Sequence, residues 1–265
     1  MIEILLSIYN GEKYLEEQIQ SIVNQTFIDW ILNIRDDGSQ DNSLKIIQHF
    51  SEKYPDKIFL KNDNFGNIGA AKSFYELLKN STQDYIMFCD QDDVWLKNKI
   101  EFSIAQMQKK EHEQGKKTPL LFFTDLTVVD KNLQIISESF FDFSGIIFKE
   151  TPNFNDIAVR NSVTGCTVLM NKSAVKCVLP ITDKTEMHDI WCALCVVKKG
   201  YVFGNKQVTV LYRQHLQNTI GAKKKRQDYT LMHRFRSNKQ RFECAKAIDK
   251  SFNIFKYLFY KISKK

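Results

Sequence analysis

Residues 84–100 read DYIMFCDQDDVWLKNKI, where an apolar run leads directly into three aspartates within four positions. The run is typical of a strand buried on both faces of a sheet. Two carboxylates about 4 Å apart repel by about 4 kcal/mol at an effective dielectric near 20, and a bound cation offsets that cost. Oxygen ligands of this kind suit Mg²⁺ or Mn²⁺. The stretch therefore predicts a divalent ion at the end of a strand, in a clamp formed by Asp90, Gln91 and Asp92. The alternative is that Asp92 and Asp93 cap a helix beginning near Trp95, because carboxylates favour a helix N-terminus.

Apolar runs alternate with amphipathic segments in the first hundred residues. Strands are predicted over residues 2–8, 30–35, 57–61 and 84–90. The helix after the first strand carries one apolar stripe, formed by Leu15, Ile19, Ile22 and Val23. A second helix runs through Phe50 with Ser39 or Asp41 as its cap, and a third runs through Lys79. This alternation implies right-handed βαβ units and a mainly parallel, Rossmann-like sheet.

Polar residues follow several of these strands. The segments concerned are Tyr9-Asn10, Asp36-Asp37, Asn64 to Gly69 and Asp90 to Asp93. In parallel sheets ligands bind at the carboxyl ends of the strands. We therefore expect these segments to converge on one crevice.

The second half of the chain is less regular. Helices are predicted over residues 96–113 and 188–199, strands over 120–130, 161–170 and 201–212, and a hairpin turn at 130–132 that leads into 133–137. This mixed pattern suits a substrate-specific region built onto a nucleotide-binding half. With 265 residues, the chain is expected to form one α/β domain with a C-terminal appendage.

Composition narrows the class of protein. No apolar run reaches the ~18 residues needed to span a bilayer, so a cytoplasmic protein is expected. Cys192 and Cys195 form a CxxC spacing without a second pair to complete a zinc site, which predicts buried thiols.

Residues 222–265 contain 14 Lys and Arg against 3 Asp and Glu. This basic segment predicts an anionic partner, either a membrane surface or a polyanion.

Several motifs together resemble glycosyltransferase family 2 enzymes with the GT-A fold. They are SIYNGEKYLEEQIQSIVNQTF, RDDGSQDNS, FGNIGAAKSF and CDQDDVW, in the family's order and approximate spacing. The resemblance covers roughly residues 1–221, which would form the catalytic domain, with 222–265 as a helical basic extension. The later pieces TGCTVLM, MHDIW and YRQHLQNTIGA are most similar to the bacterial rhamnosyltransferase-like branch.

The resemblance implies a nucleoside diphosphate sugar as donor, either dTDP-rhamnose or a UDP-sugar. Tyr9, Glu12 and one of Asp36 or Asp37 would contact base and ribose, and Asp90 would lie near the ribose. The donor site as a whole would comprise Ser7, Tyr9, Glu12, Asp36, Asp37, Asn67, Gly69, Asp90, Gln91 and Arg213. Asp92 and His215 would hold Mn²⁺ or Mg²⁺. For Gly69 and the Asp37-Gly38 turn, a purely conformational role is the alternative.

The resemblance also identifies a candidate catalytic base. Asp189, in Met187-His188-Asp189-Ile190-Trp191, matches the family's acidic motif, with His188 in place of the more common Glu. A carboxylate there would remove the proton from the attacking hydroxyl, with inversion at the anomeric carbon. Acceptor-side residues would be Gly165, Cys166, His188 and Trp191. The alternative is that His188 and Asp189 cap the following helix while Trp191 packs in the core.

The C-terminal segment is predicted to form an amphipathic, cationic helix. One face would carry Phe252, Phe255, Phe259 and Ile262, with Lys250, Lys256 and Lys261 elsewhere around the axis. Acceptors in this branch are often lipid-linked saccharides, so the helix is expected to contact anionic lipid at the inner face of the plasma membrane. Packing on the body or a homodimer contact is the alternative.

Nucleic acid is not expected as a partner, because the strand-end aspartates would repel a phosphate backbone. A glycoside hydrolase is the competing enzyme class that also relies on carboxylates. It needs two carboxyls that flank the scissile bond and has no metal and nucleotide site.

Overall fold

A computed structural model describes residues 1–181, 187–215 and 231–262 of the chain. Its strands are β1 (Ile2–Ile8), β2 (Trp30–Asp36), β3 (Ile58–Lys61), β4 (Tyr85–Cys89), β5 (Val94–Trp95), β6 (Leu120–Val129), β7 (Ile135–Ser137), β8 (Leu169–Asn171) and β9 (Tyr201–Arg213). Its helices are α1 (Leu15–Val23), α2 (Ser43–Lys53), α3 (Ala70–Lys79), α4 (Lys99–Gln114), α5 (Phe140–Ser144), α6 (Phe154–Val159), α7 (Lys172–Val178), α8 (His188–Lys199), α9 (Leu231–Ile248) and α10 (Ile254–Ile262).

One mixed sheet organises the fold, with strand order β3-β2-β1-β4-β8-β6-β9-β5 and β7 paired to β6. Strands β3, β2, β1 and β4 are parallel neighbours, and β6 is parallel to β9. Strand β8 lies antiparallel between β4 and β6, so β6 and β9 point the same way as β4. The carboxyl ends of β1, β2, β4, β6 and β9 therefore share one edge of the sheet. The expected α/β architecture, with a parallel first half and a mixed second half, is confirmed.

Burial explains why the apolar runs form these strands. Every residue of β6 is buried, and in β1 only Ser7 is partly exposed, because helices cover both faces of the sheet. Leu15, Ile19 and Ile22 of the predicted stripe on α1 are wholly buried.

Three local predictions were wrong. Residues 161–170 do not form a strand: a 3₁₀ turn at Gly165–Thr167 precedes the short β8. Helix α4 begins at Lys99 rather than near residue 96, because Val94 and Trp95 pair with β9 as β5. Asp92 and Asp93 therefore do not cap it. Helix α2 has Asn42 at its N-cap, with no side-chain cap bond.

Ser39 and Asp41, the predicted caps of α2, bind other groups. Ser39 Oγ accepts from the Asn10 backbone N–H (2.9 Å). Asp41 accepts from the Ser43 N–H (2.9 Å) and from the Glu12 N–H (3.0 Å). Both side chains thus join the loop after β1 to the start of α2.

The C-terminal helices pack on the body of the protein. Cys244 and Ala245 of α9 are buried, as are Phe252 before α10 and Tyr257 within it. Phe255 is 79% exposed, so the predicted shared face of Phe252 and Phe255 is wrong. Side chains of Phe259 and Ile262, and the predicted boundary at residues 221 and 222, lie outside the described residues.

Two compositional predictions can be compared with the structure. Cys192 and Cys195 are buried free thiols, as predicted, and burial raises the pKa of Cys195 to about 12. Across the described part of the chain, no helix is long and apolar enough to cross a bilayer.

Candidate active site

The loops after β1 and β4 are joined by the side chain of Gln91. Its Oε1 accepts from the Tyr9 backbone N–H (2.8 Å), and its Nε2 donates to the Tyr9 carbonyl (3.1 Å). A Cβ on Gly11 would lie 2.9 Å from Gln91 Oε1, so glycine permits this approach. Gln91 therefore braces the acidic loop through its side chain, and its predicted contact with the donor stays a prediction.

Asp36 and Asp37 at the end of β2 have different surroundings. Asp37 is buried, pairs with Arg35, and accepts from the backbone N–H groups of Ile68 (2.9 Å) and Gly69 (2.8 Å). Asp36 Oδ2 accepts from the N–H groups of Gly38 and Ser39, but its buried Oδ1 has no partner among the described residues. Of the two aspartates, Asp36 is the one with a carboxylate oxygen that has no hydrogen-bond partner among the described residues.

The remaining donor-site candidates near β1 and α3 make local contacts. Ser7 Oγ donates to Ser73 Oγ (2.6 Å). Glu12 accepts from the backbone and side-chain amides of Asn42 (2.8 and 2.9 Å), which fastens the start of α2. Asn67 is exposed. Gly69 has φ 83°, a left-handed conformation that favours glycine, so its conformational role is clear while donor contact stays a prediction.

The two predicted metal ligands come together. His215 follows β9 and Asp92 follows β4, yet His215 Nε2 and Asp92 Oδ2 are 2.7 Å apart. Both side chains are mostly buried, at 10% and 13% exposure. A carboxylate oxygen suits either Mg²⁺ or Mn²⁺, whereas an imidazole nitrogen favours a transition-series ion such as Mn²⁺. The donor chemistry of this pair therefore fits the predicted ion.

Asp90, Asp93 and Cys166 form a second group beside Asp92. One ligand atom from each lies within 4.8 Å of the others. Burial, together with the charges of Asp92 and Asp189, raises the pKa of Asp90 to about 7. Burial also raises the pKa of the Cys166 thiol well above its ordinary value. Cys166 is thus a buried thiol against the acidic loop, and the structure does not place it on an open acceptor surface.

Arg213 braces the acidic loop from the end of β9. Its Nε donates to the Asp92 carbonyl (2.8 Å), its Nη1 to the Lys131 carbonyl (2.9 Å), and its Nη2 to Glu17. Its backbone N–H donates to Asp93 Oδ1 (3.1 Å). With the guanidinium buried among protein acceptors, the predicted contact with diphosphate is not favoured by this arrangement.

Tyr14 was missed by sequence reasoning. Its ring lies 4.8 Å from the ring of His215, and the Arg213 guanidinium lies 4.5 Å from the same ring. The Tyr14 hydroxyl is buried and has no partner among the described residues. Tyr14 precedes the apolar stripe of α1, and no local pattern indicates contact with a histidine some 200 residues later.

Asp189 lies in the first turn of α8 and is partly exposed. Its carboxylate accepts from the N–H groups of Ile190 (2.6 Å) and Gly165. Burial raises the pKa of Asp189 to about 6, with Arg241 of α9 acting against that rise. The residue is therefore ionised at neutral pH yet a stronger base than an ordinary aspartate. A Cβ on Gly165 would lie 3.7 Å from Asp189 Cβ, and the next residue, Cys166, adjoins Asp90 and Asp93, so Asp189 lies near the acidic loop.

Two of the predicted acceptor-side residues belong to the core. His188 packs against Phe74 and Phe88 (ring centroids 4.1 and 4.5 Å), and burial lowers its pKa to about 3. Trp191 is buried and donates from Nε1 to the Val178 carbonyl (2.9 Å). The acceptor role predicted for these two residues is therefore not supported. Gly165 does lie against this turn, since its Cβ would meet His188 Nε2 at 3.0 Å.

The helix-cap alternative for residues 188 and 189 is only partly met. The N-cap of α8 is Met187, which makes no side-chain cap bond. His188 caps nothing, whereas Asp189 does accept one N–H of the first turn, from Ile190. A base and a first-turn acceptor are compatible roles for one carboxylate, which has about four lone-pair sites.

Comparisons with known proteins were made for both sequence and structure. A model of the family described as Glycosyl transferase family 2 matches residues 3–179. The chain is 31% identical over 233 residues to dTDP-rhamnosyl transferase RfbG of Shigella flexneri, covering 82% of this chain and 74% of that protein. It is 33% identical over 109 residues to UDP-Glc:alpha-D-GlcNAc-diphosphoundecaprenol beta-1,3-glucosyltransferase WfgD of Escherichia coli, covering 41% and 42% respectively.

A solved structure extends the comparison to the fold. Mannosyltransferase PcManGT of Pyrobaculum calidifontis, in complex with GDP-Man and Mn²⁺, superposes with a TM-score of 0.62 at 14% identity. The match covers 99% of this chain and 68% of that one. At this identity the likeness concerns the fold alone, and it confirms the expected GT-A fold.

Proposed function

The chain belongs to glycosyl transferase family 2, and from this premise we propose that it moves a sugar, rhamnose being favoured, from a nucleoside diphosphate to a saccharide acceptor. The acceptor is carried on a lipid, in the synthesis of a bacterial surface polysaccharide. One observation supports the proposal: Asp92 and His215, far apart in the sequence, lie 2.7 Å apart, and Asp189 lies against Gly165, next to the Cys166 that adjoins Asp90 and Asp93.

Each group at this edge has a role in the proposed reaction. Asp36 Oδ1 accepts a hydrogen bond from the base or ribose of the donor, because it is the buried oxygen left without a partner among the described residues. Asp92 and His215 would hold the divalent ion, which when bound would supply positive charge to stabilise the negative charge on a leaving diphosphate. Asp189 takes the proton of the acceptor hydroxyl as that hydroxyl attacks the anomeric carbon. Direct displacement inverts the configuration at that carbon.

The choice of rhamnose rests on the relative with the greater coverage, whose name is dTDP-rhamnosyl transferase. A UDP-hexose is the second candidate donor, because the shorter match is to a protein named as a UDP-Glc-dependent glucosyltransferase. The same name includes a diphosphoundecaprenol acceptor, which supports a lipid-linked acceptor here.

Thermal unfolding with nucleotides and metal tests the donor site. We expect dTDP to raise Tm in the presence of Mn²⁺ and much less in EDTA, since a ligand at 100 times its Kd stabilises by about 2.7 kcal/mol. UDP and GDP serve as competitors. Asp92→Asn should abolish the Mn²⁺-dependent shift, whereas Asp189→Asn should retain it.

Transfer assays with the same variants test the chemistry. Both variants should lose transfer, while the control Asp84→Asn, which removes a largely exposed carboxylate at the start of β4, should transfer normally. Folded Asp92→Asn and Asp189→Asn proteins that transfer sugar at the wild-type rate would contradict the proposed roles.

The outer face of α10 provides the proposed contact with an anionic membrane. Ile254, Phe255 and Leu258 are exposed there, and Lys250 and Lys256 beside them are exposed as well. Basic groups near an anionic lipid surface contribute about 1 kcal/mol each. The exposed face of α10 differs from the predicted face, which included Phe252. The side chains of Phe252 and Tyr257 pack in the hydrophobic core instead.

Sedimentation with vesicles containing phosphatidylglycerol tests this contact. Phe255→Ser with Leu258→Ser should weaken binding, and Ile136→Ser, an exposed isoleucine on β7, should not. Unchanged vesicle binding in the double variant would exclude the membrane role. A shift from dimer to monomer in that variant, measured by light scattering, would instead assign the face to a homodimer.

A further inference from the structure

A cavity lies between α6 and α10, and none of the residues given a role in the proposed reaction lines it. Its volume is about 40 Å³, which is room for roughly three water molecules or one small group. Most of its lining is apolar. The wall includes Ile147, Lys149, Pro152, Val159, Arg160 and Tyr260.

The two basic residues of this wall differ in their surroundings. The Lys149 ammonium is held by both carboxylate oxygens of Asp156, at 2.8 Å each. Arg160 follows the last residue of α6 and is half-buried, yet its side chain makes no hydrogen bond or ion pair with any described residue. The charge of Lys149 is therefore balanced, whereas the charge of Arg160 is not. A guanidinium presents its donors in a fork that fits a phosphate group.

The cavity is close to the candidate base along the chain. Ser162 lines the cavity, and Gly165 lies against Asp189, since its Cβ would be 3.7 Å from Asp189 Cβ. Three residues of fully extended chain span at most about 11 Å. Asn161 fixes the segment between them through hydrogen bonds with the backbone of Val163 (2.8 and 3.1 Å). A saccharide chain whose hydroxyl is at Asp189 can therefore reach the cavity.

The opposite wall of the cavity belongs to the C-terminal helix. Tyr260 of α10 lines it, and the rings of Phe154 and Phe252 join the start of α6 to the segment before α10 (centroids 5.6 Å apart). Ile147, also in the wall, is 64% exposed, so the cavity lies at the surface. One helix thus contributes both a wall of the cavity and the exposed apolar residues of the proposed membrane contact.

We propose that this cavity is the subsite for the lipid end of the acceptor, with Arg160 binding a phosphate of a lipid diphosphate and the apolar wall contacting the first carbons of the lipid. This inference rests on the proposed transfer to a lipid-linked acceptor. The saccharide of the acceptor then runs from the cavity to Asp189, while the remainder of the lipid stays in the membrane beside α10.

Calorimetric titration of the full-length protein tests the subsite. The probes are geranyl diphosphate, geraniol and inorganic pyrophosphate, all in EDTA so that a diphosphate held by metal at Asp92 is not counted. Geranyl diphosphate should bind at least about tenfold more tightly than either other probe, because it alone uses both the guanidinium and the apolar wall. Equal binding of pyrophosphate would indicate a site for free anions, and equal binding of geraniol a purely apolar one; either result would overturn the proposal.

Variants of the wall locate the binding. Arg160→Gln should weaken geranyl diphosphate binding by about tenfold or more, and Arg160→Lys by less, since it retains the charge. Ile147→Ser should weaken binding of geranyl diphosphate and leave that of pyrophosphate unchanged. Both positions allow folded variants, because Arg160 has no described partner and Ile147 is largely exposed. Lys116→Gln, which removes an exposed lysine from the turn after α4, should bind as the wild type does. Unchanged binding in Arg160→Gln would overturn the proposal.

This binding assay is independent of sugar transfer. A wild-type protein that binds geranyl diphosphate through Arg160 but transfers no sugar would contradict the proposed function and support the subsite. A wild-type protein that transfers sugar and does not bind geranyl diphosphate would overturn the subsite alone.

Discussion

Replacing the candidate base Asp189 with asparagine should make the protein more stable at neutral pH. Burial raises the pKa of Asp189 from 3.8 to about 6. For an acid, a pKa that is higher in the folded state means that ionisation favours unfolding. At about 1.4 kcal/mol per pKa unit, the ionised carboxylate lowers the free energy of unfolding by about 3 kcal/mol at pH 7.5. Asparagine accepts more weakly from the N–H groups of Ile190 and Gly165, so we expect a net gain of about 1–3 kcal/mol.

The pH dependence identifies the cause of this gain. The cost of the ionised Asp189 is fully present above its folded pKa of about 6, fades as pH falls from there to 3.8, and is absent below that value. Urea unfolding in EDTA should therefore show a more stable Asp189→Asn variant at about pH 7.5 and no difference at about pH 4. The expected change in Tm at neutral pH is about 2–10 °C for a protein of this size.

The exposed carboxylate of Asp56 provides the matched control. Asp56→Asn should leave the free energy of unfolding unchanged at both pH values, while Asp189→Asn should also reduce transfer by about 10²- to 10⁴-fold. An Asp189→Asn protein that is less stable than the wild type at neutral pH would refute the reasoning. An equal change at both pH values would refute it as well.

Three further predictions follow from the same contacts. The kcat/KM of transfer should rise with pH through an apparent pKa near 6 and level off above it, because Asp189 must be ionised to accept the proton; a flat profile from about pH 5 to 8 would exclude it as the base. His188→Phe should change the free energy of unfolding by less than about 1 kcal/mol, since neither ring nitrogen has a partner among the described residues, whereas Phe88→Ala in the same cluster should cost about 3–5 kcal/mol; calorimetry compares the two. Asp37→Asn should destabilise by about 3–5 kcal/mol through the buried Arg35 pair, while Asp36→Asn should weaken dTDP binding at nearly unchanged Tm; the reverse pattern would exchange their roles.

Much of the fold could be predicted because burial imposes local patterns. Strands buried on both faces, such as β1 and β4, appear as continuous apolar runs, and α1 shows its stripe at the helical period. The segment 161–170 is apolar enough for a strand but turns at Gly165, where Thr167 and Val168 donate back to Thr164 and Gly165. Long-range packing selects this turn, and no local pattern reveals it.

The candidate site was predictable in position and less so in orientation. Strand ends placed Asp92 and His215 correctly at one edge, since parallel strands align their carboxyl ends. His188 and Trp191 were assigned to the acceptor side because they adjoin Asp189 in the sequence. On α8, however, they are three residues apart and share a buried face, whereas Asp189 is rotated from His188 by about 100°.

The strand order also has a consequence for biosynthesis. The acidic loop leaves the ribosome about 120 residues before Arg213 and His215, and roughly 6–24 s pass between them at typical elongation rates. During that interval a nascent chain can assemble the first four strands but lacks β9, which supplies Arg213 to brace the loop and His215 to pair with Asp92. A partly synthesised molecule therefore lacks both the Arg213 brace and the His215–Asp92 contact, and the acidic loop reaches its finished geometry only after β9 has been made.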